Sequence, residues 1–248
     1  MTELLGIDVG GSGIKGALVN AETGELASER IRVLTPGDFT IESVSKAIAK
    51  LVKKLKYKGP IGVGFPSAVA NGIVLIPPTA LHYPGWVGHS AQEAFAQATG
   101  CPVVVVNDAD AAGMAEIRWG AGQGVQGTVM TFTLGTGVGC GMFYNGQLIP
   151  NFELGKVYLK GQSEVAELYM AGRIKREQGL TWRAYGSRLN EYFRYIEHLF
   201  TPDLIIVGGG VSKRGDKFLP YVHLERTRIV TAALMNDAGI IGAAAAAG

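Results

Sequence analysis

Gly6-Ile7-Asp8-Val9-Gly10-Gly11-Ser12-Gly13-Ile14-Lys15 places a single carboxylate among glycines where one strand pattern ends and another begins. Apolar alternation before it (Leu5, Ile7, Val9) and after it (Ile14, then residues 17–19) predicts two strands joined by a Gly-rich turn. The turn therefore sits inside a hairpin. A P-loop needs its lysine followed by Ser or Thr at a helix start, and a dinucleotide fingerprint needs a third glycine opening a helix. Here Lys15 is followed by Gly16 and a strand. Taken alone, the glycines need serve only positive φ angles.

The same design recurs once, and a third glycine loop lies near the end. Thr131-Phe132-Thr133-Leu134-Gly135-Thr136-Gly137-Val138-Gly139-Cys140 reads as strand, Gly/Thr turn, strand. Leu204-Ile205-Ile206-Val207-Gly208-Gly209-Gly210-Val211 is a buried strand running into three glycines, which let a ligand approach backbone closely. Three such loops, early, central and late, resemble the α/β ATPase fold of actin, hexokinase and Hsp70, a ribonuclease H-like fold of two lobes around a central cleft. That resemblance implies phosphate-binding roles for Asp8, Gly10, Gly11, Ser12, Gly13 and Lys15 in the first loop. It implies the same for Thr133, Gly135, Thr136, Gly137 and Gly139 in the second. The third, with Gly208, Gly209, Gly210, Lys213 and Arg214, is similar to an adenosine loop.

A hydrophobic fraction of 47% over 248 residues suffices for a large core, and 36 glycines without a low-complexity tract imply turns and close backbone approaches. A net charge of +2 gives no reason to expect nucleic acid as a partner. Two cysteines, Cys101 and Cys140, exclude a disulfide framework and a thiolate zinc site. With no leader-like segment and no membrane-length apolar run, a soluble cytoplasmic protein away from membranes is expected.

Along the chain, strands are expected over 29–34, 61–65, 102–106 and 204–207. Helices are expected over 41–56 (ending at Gly59-Pro60), 91–99, 110–119, 164–177, 182–200 and from about 238. These organise as an N-terminal lobe, 1–107, on which the helix of 238–248 packs back, and a C-terminal lobe, 108–237. The lysines Lys50, Lys53, Lys54, Lys56 and Lys58 read as a solvated helix face.

Asn107-Asp108 stands at the carboxyl end of a buried strand, where ligands of open α/β sheets bind. A carboxylate there can take a hydroxyl proton, or it can merely cap the next helix, the role expected of Asp110. Asn107-Asp108-Ala109-Asp110-Ala111-Ala112-Gly113 resembles the Asn-Asp-Ala motif of ROK family sugar kinases, which implies that Asp108 is the base facing a sugar 6-hydroxyl. Pro150-Asn151-Phe152-Glu153-Leu154-Gly155, Gly179-Leu180-Thr181-Trp182 and Ser212-Lys213-Arg214 extend the resemblance to the branch of polyphosphate glucokinases and glucomannokinases.

The resemblance implies phosphoryl transfer from polyphosphate, ATP or both to glucose or mannose, with Mg2+ on Asp8 and no zinc. It implies sugar contacts from Asn107, Glu153, Lys156, Pro66 and Ser67, and a homodimer. No helix-turn-helix is expected ahead of Asp8, unlike the family's repressors. Other readings are an ATP-only hexose or amino-sugar kinase and a sugar-binding sensor without turnover. Two departures bear on them. Lys156 stands where the family has His, and an ammonium cannot accept a hydrogen bond. Leu81 stands where the family commonly has Asn.

Overall fold

The computed structural model describes residues 3–79 and 83–248, so Leu81 lies outside the described residues. The chain divides into two compact units, Met1–Ala115 with Asp237–Gly248, and Glu116–Asn236.

The first unit opens with β1 (Glu3–Gly10), β2 (Gly13–Asn20) and β3 (Ile31–Val33), followed by α1 (Ile41–Leu55) and β4 (Ile61–Phe65). A small hairpin, β5 (Val69–Ala70) and β6 (Ile73–Val74), precedes α2 (Ala91–Thr99) and β7 (Val103–Asn107). The chain leaves this unit within α3 (Asp108–Trp119). The second unit contains β8 (Thr128–Leu134), β9 (Val138–Tyr144), β10 (Gln147–Ile149), α4 (Ala166–Met170), α5 (Gly172–Glu177) and α6 (Trp182–Phe200). After β11 (Leu204–Gly208), α7 (Gly215–Phe218) and β12 (Arg228–Thr231), the chain returns to the first unit as α8 (Ala238–Ala246).

The two sheets have one topology. Their strand orders are β3-β2-β1-β4-β7 and β10-β9-β8-β11-β12, each with three antiparallel strands followed by two parallel ones. The first and second glycine turns each join the first antiparallel hairpin of their sheet, and the third glycine loop follows β11.

Helix α1 forms because Val44, Ala47, Ile48, Leu51 and Val52 recur at helical spacing and bury together. Each larger side chain there contributes roughly 2 kcal/mol of burial. Thr40 caps its start by accepting the Ser43 N–H at 3.2 Å. The helix stops at Lys56, which is left-handed at φ 52°, so it ends ahead of the expected Gly59-Pro60. The five lysines of residues 50–58 are all exposed.

Glycines carry the packing of α8. A Cβ on Gly6 would lie 1.9 Å from the Ile240 carbonyl oxygen, and one on Gly62 would lie 1.6 Å from that of Ala243. On the helix itself, a Cβ on Gly242 would lie 1.6 Å from the Ala111 carbonyl oxygen. Backbone meets backbone at all three.

Two further helix boundaries differ from expectation. The helix expected over 164–177 is broken at Ala171, whose ψ of 154° separates α4 from α5, because Gly172 packs under the Leu134 and Gly135 carbonyls. Helix α3 begins at Asp108, since Asn107 supplies its cap. Cys101 and Cys140 are both buried free thiols. Among the described residues, no helix is long and apolar enough to cross a membrane.

Candidate active site

In the first unit β1, β4 and β7 are parallel neighbours whose carboxyl ends lie side by side. That edge collects Asp8 on β1, Pro66 and Ser67 just beyond β4, and Asn107 with Asp108 at the junction of β7 and α3. Asp8 and Gly64 are register partners, so they face the same side of the sheet. A Cβ on Gly64 would lie 3.6 Å from Asp108 Cα.

Asn107 Oδ1 accepts the N–H groups of Ala109 at 2.8 Å and Asp110 at 3.0 Å, while its Nδ2 donates to the Ser67 carbonyl at 3.1 Å. One amide therefore caps α3 and ties its start to the end of β4. That fixes Asp108 as the first helical residue, half-buried, with Oδ1 accepting the Ala109 N–H at 2.8 Å. The capping expected of Asp110 belongs to Asn107, and Asp110 is buried within the first unit. Ser67 is buried too; its hydroxyl donates to the Ile76 carbonyl at 2.7 Å, and the Pro66 carbonyl accepts the Thr79 N–H at 2.9 Å.

Asp8 lies opposite Lys15 in the β1–β2 register, 3.8 Å from its Nζ. Burial pushes the Asp8 carboxyl pKa up, against the pull of Lys15 and, less strongly, Arg30. A Cβ on Gly239, in the first turn of α8, would lie 3.4 Å from Asp8 Cγ. Among the described residues no group of three or more His, Cys, Asp or Glu could hold a metal. One carboxylate still suits Mg2+, which is commonly held by one or two carboxylates, waters and substrate phosphates. Asp8 thus fits a magnesium ion that arrives with a phosphate donor.

The second unit carries the other two glycine loops. Leu134 and Val138 close the second turn, within which the Gly135 N–H donates to the Gly137 carbonyl at 3.0 Å, and Thr133 pairs with Gly139 at its base. The third loop rests on it. Gly209, at φ 77°, would bring a Cβ within 2.7 Å of the Leu134 carbonyl oxygen, so conformation and space both require glycine. Gly208 pairs with Thr133, nothing lies within 4 Å of a Cβ on Gly210, and Lys213 and Arg214 are exposed on a short 3-10 helix.

Glu153 precedes the 3-10 helix Leu154–Lys156. Burial pushes its pKa up, Lys156 pulls it down, and Glu167 pushes it up again. Lys156 Nζ lies 3.2 Å from Glu167 Oε1, and Glu167 Oε2 accepts the Val138 N–H at 2.9 Å. A Cβ on Gly137 would lie 2.4 Å from that oxygen. Lys156 is therefore linked through Glu167 to the second turn.

Sequence reasoning missed Glu167, Arg32 and Thr35, and offered Arg173 only as one of several basic residues that could line a phosphate groove; Arg173, Arg32 and Thr35 bond the turns' carbonyls. No local motif marks them. The one usable signal is indirect: a glycine turn whose own carbonyls need donors.

Residues 4–152 match the ROK family. The chain is 42% identical over 243 residues to a polyphosphate glucokinase of Mycobacterium tuberculosis, covering 97% of this chain and 89% of that one. It superimposes on the crystal structure of an inorganic polyphosphate/ATP-glucomannokinase from Arthrobacter sp. strain KM with a TM-score of 0.91 and 44% identity, covering 98% of this chain and 97% of that one. A ROK family glucokinase from Streptomyces griseus, in complex with glucose and AMPPNP, gives a TM-score of 0.81 at 25% identity, with 99% of each chain covered. The fold is that of these sugar kinases.

Proposed function

The chain belongs to the ROK family, and we propose that it is a polyphosphate- and ATP-dependent glucokinase that phosphorylates the 6-hydroxyl of glucose. The observation that carries this is the likeness to polyphosphate glucokinase across nearly the whole of both chains.

Asp108 is the general base. It accepts the 6-hydroxyl proton as that oxygen attacks the donor's terminal phosphorus; the bond to the leaving phosphate breaks, releasing ADP or a polyphosphate shortened by one unit. Phosphoryl transfer asks little covalent chemistry of the protein, so positioning and charge stabilisation dominate. Asn107 and Glu153 grip the sugar, with Pro66 and Ser67 shaping its surroundings and Lys156 beside Glu153. Asn107 also sets the direction of Asp108 by capping α3. Those backbone N–H groups of Gly10 to Gly13 and of Gly135 to Gly139 that are not bonded within the protein, flanked by Thr133 and Lys15, hold donor phosphates. Gly208, Gly209, Gly210, Lys213 and Arg214 form the nucleotide end. Asp8 would hold Mg2+, which would supply charge neutralisation for the donor phosphates. Mannose as a second sugar, a homodimer and a cytoplasmic location belong to the same reading.

Glucose 6-phosphate formation, measured with ATP and with polyphosphate side by side and repeated with mannose, tests it. Product from both donors is expected. Product from ATP alone leaves an ATP-only kinase, and calorimetric glucose binding without product leaves a sensor.

A further inference from the structure

Both phosphate-loop turns are held from outside by side chains that bond their carbonyls. In the first unit, Arg32 on β3 lies across the turn, where Nη2 donates to the Ser12 carbonyl. A Cβ on Gly13 would lie 2.3 Å from its Nε, so the absence of a side chain at Gly13 is what admits the guanidinium. Thr35, two residues beyond the end of β3, donates its hydroxyl to the Gly10 carbonyl at 2.5 Å. In the second unit, Arg173 Nε donates to the Thr136 carbonyl at 2.6 Å, and the Arg173 N–H donates to the Gly135 carbonyl at 2.9 Å.

A trans peptide is planar, so its C=O and N–H point in opposite directions. Turning the Gly10 carbonyl toward Thr35 aims the N–H of Gly11 the other way, while Arg32 fixes the Ser12 carbonyl and leaves the Gly13 N–H facing Gly10, its partner across the hairpin. Turning the Gly135 and Thr136 carbonyls toward Arg173 likewise aims the N–H groups of Thr136 and Gly137 the other way. Glycine turns left to themselves sample many conformations, and ordering them on binding costs affinity. A carbonyl clamp removes that cost in advance.

We propose that Arg32, Thr35 and Arg173 are positioning residues for the phosphoryl donor, clamping the carbonyl side of the two turns so that their N–H groups are presented to phosphate. This rests on the reading that those turns hold donor phosphates. The clamps act on KM for the donor and leave the sugar untouched.

Thr35→Val, Thr35→Ser, Arg32→Met and Arg173→Met, made in the full chain, test the proposal by steady-state kinetics with ATP, polyphosphate and glucose varied in turn, alongside Tm. Thr35→Val is the central variant because it removes a hydrogen bond and no charge. It is expected to raise KM for both donors by about tenfold, the weight of one hydrogen bond, with glucose KM and Tm unchanged. Thr35→Ser, which keeps the hydroxyl, restores the donor KM. The arginine variants raise donor KM at low and at high ionic strength alike. Unchanged donor KM in Thr35→Val overturns the proposal, as does an Arg32→Met or Arg173→Met effect that vanishes in high salt, which would make the arginines simple charges. A parallel rise in glucose KM or a fall in Tm overturns it too. Wild-type protein that makes no glucose 6-phosphate from either donor instead fails the kinase reading, and the inference falls with it.

Discussion

Lys156 and Glu167 form an ion pair, Nζ to Oε1 3.2 Å, at the position where the family pattern has histidine. The pair is not a stability device, since Lys156 keeps 48% of its side-chain surface in solvent and exposed pairs of this kind are worth little. Its other carboxylate oxygen is committed to the Val138 N–H. Without the lysine, a bare carboxylate would remain beside the second glycine turn.

Lys156→Met is therefore expected to raise KM for polyphosphate by about twofold to fivefold, with a smaller rise for ATP. The effect should shrink as salt is added, and Lys156→Arg should preserve donor use. Initial rates over a range of ionic strength decide the matter; a change in glucose KM with donor KM fixed would place the ammonium at the sugar instead.

Asp108→Asn should lower kcat by about 100-fold to 10,000-fold, because the amide keeps the shape and cannot take a proton. Glucose binding by calorimetry should survive. A variant retaining a tenth of the wild-type rate or more would remove Asp108 from the role of base.

The Glu197 carboxylate, buried against the loop that leads into β12, accepts the N–H groups of Glu225 at 3.0 Å, Arg226 at 2.9 Å and Thr227 at 2.7 Å. Burial raises its pKa, but these bonds outweigh that and lower it from 4.5 to about 2. A depressed carboxyl pKa contributes stability above the unfolded value and loses it as pH falls through the folded one. Wild type should therefore exceed Glu197→Gln in stability by on the order of 2 kcal/mol at pH 7, with the gap closing between about pH 4.5 and pH 2. Denaturant titrations at pH 7, 4 and 3 read it; a gap independent of pH would rule the carboxylate out as the cause.

Gly62→Ala should destabilise the first unit by about 3 kcal/mol or more, since the new methyl meets the Ala243 carbonyl and neither backbone can yield. Gly37, with nothing within 4 Å of its Cβ position, is the control. Gly37→Ala should stay within about 0.5 kcal/mol of wild type. Equal Tm values for the two variants would contradict the close packing of α8.

The three glycine loops were legible because each combines a strand pattern with glycines that no other local structure needs. Helices α1 and α6 were legible through their apolar periodicity. The break at Ala171 was not, because it follows from Gly172 meeting carbonyls of residues 134 and 135, a contact no window of sequence contains. Strands β10 and β12 are three and four residues long, too short to show a period. Asn107 and Asp108 could be placed because chemistry and strand end coincide in sequence. Arg32 and Glu167 could not, and Arg173 showed only as one of several basic residues for a phosphate groove, since each reaches its turn from about 20 to 40 positions away in the chain. The cap on α3 went to Asn107 because asparagine's two-sided amide reaches both the helix and Ser67.

The seating of α8 on Gly6 and Gly62 has a consequence for the order in which a ribosome delivers this protein. The first unit is written in two pieces, with all of the second unit between them. At roughly 5–20 residues per second, strands β1 and β4 wait on the order of ten seconds or more for the helix that covers them. The second unit, continuous in sequence, can finish while they wait. The nascent chain thus completes its Glu153 and Gly135 to Gly139 portion first and gains a finished Asp8 and Asp108 pair last, so a chain stalled before residue 238 lacks a settled carboxylate edge.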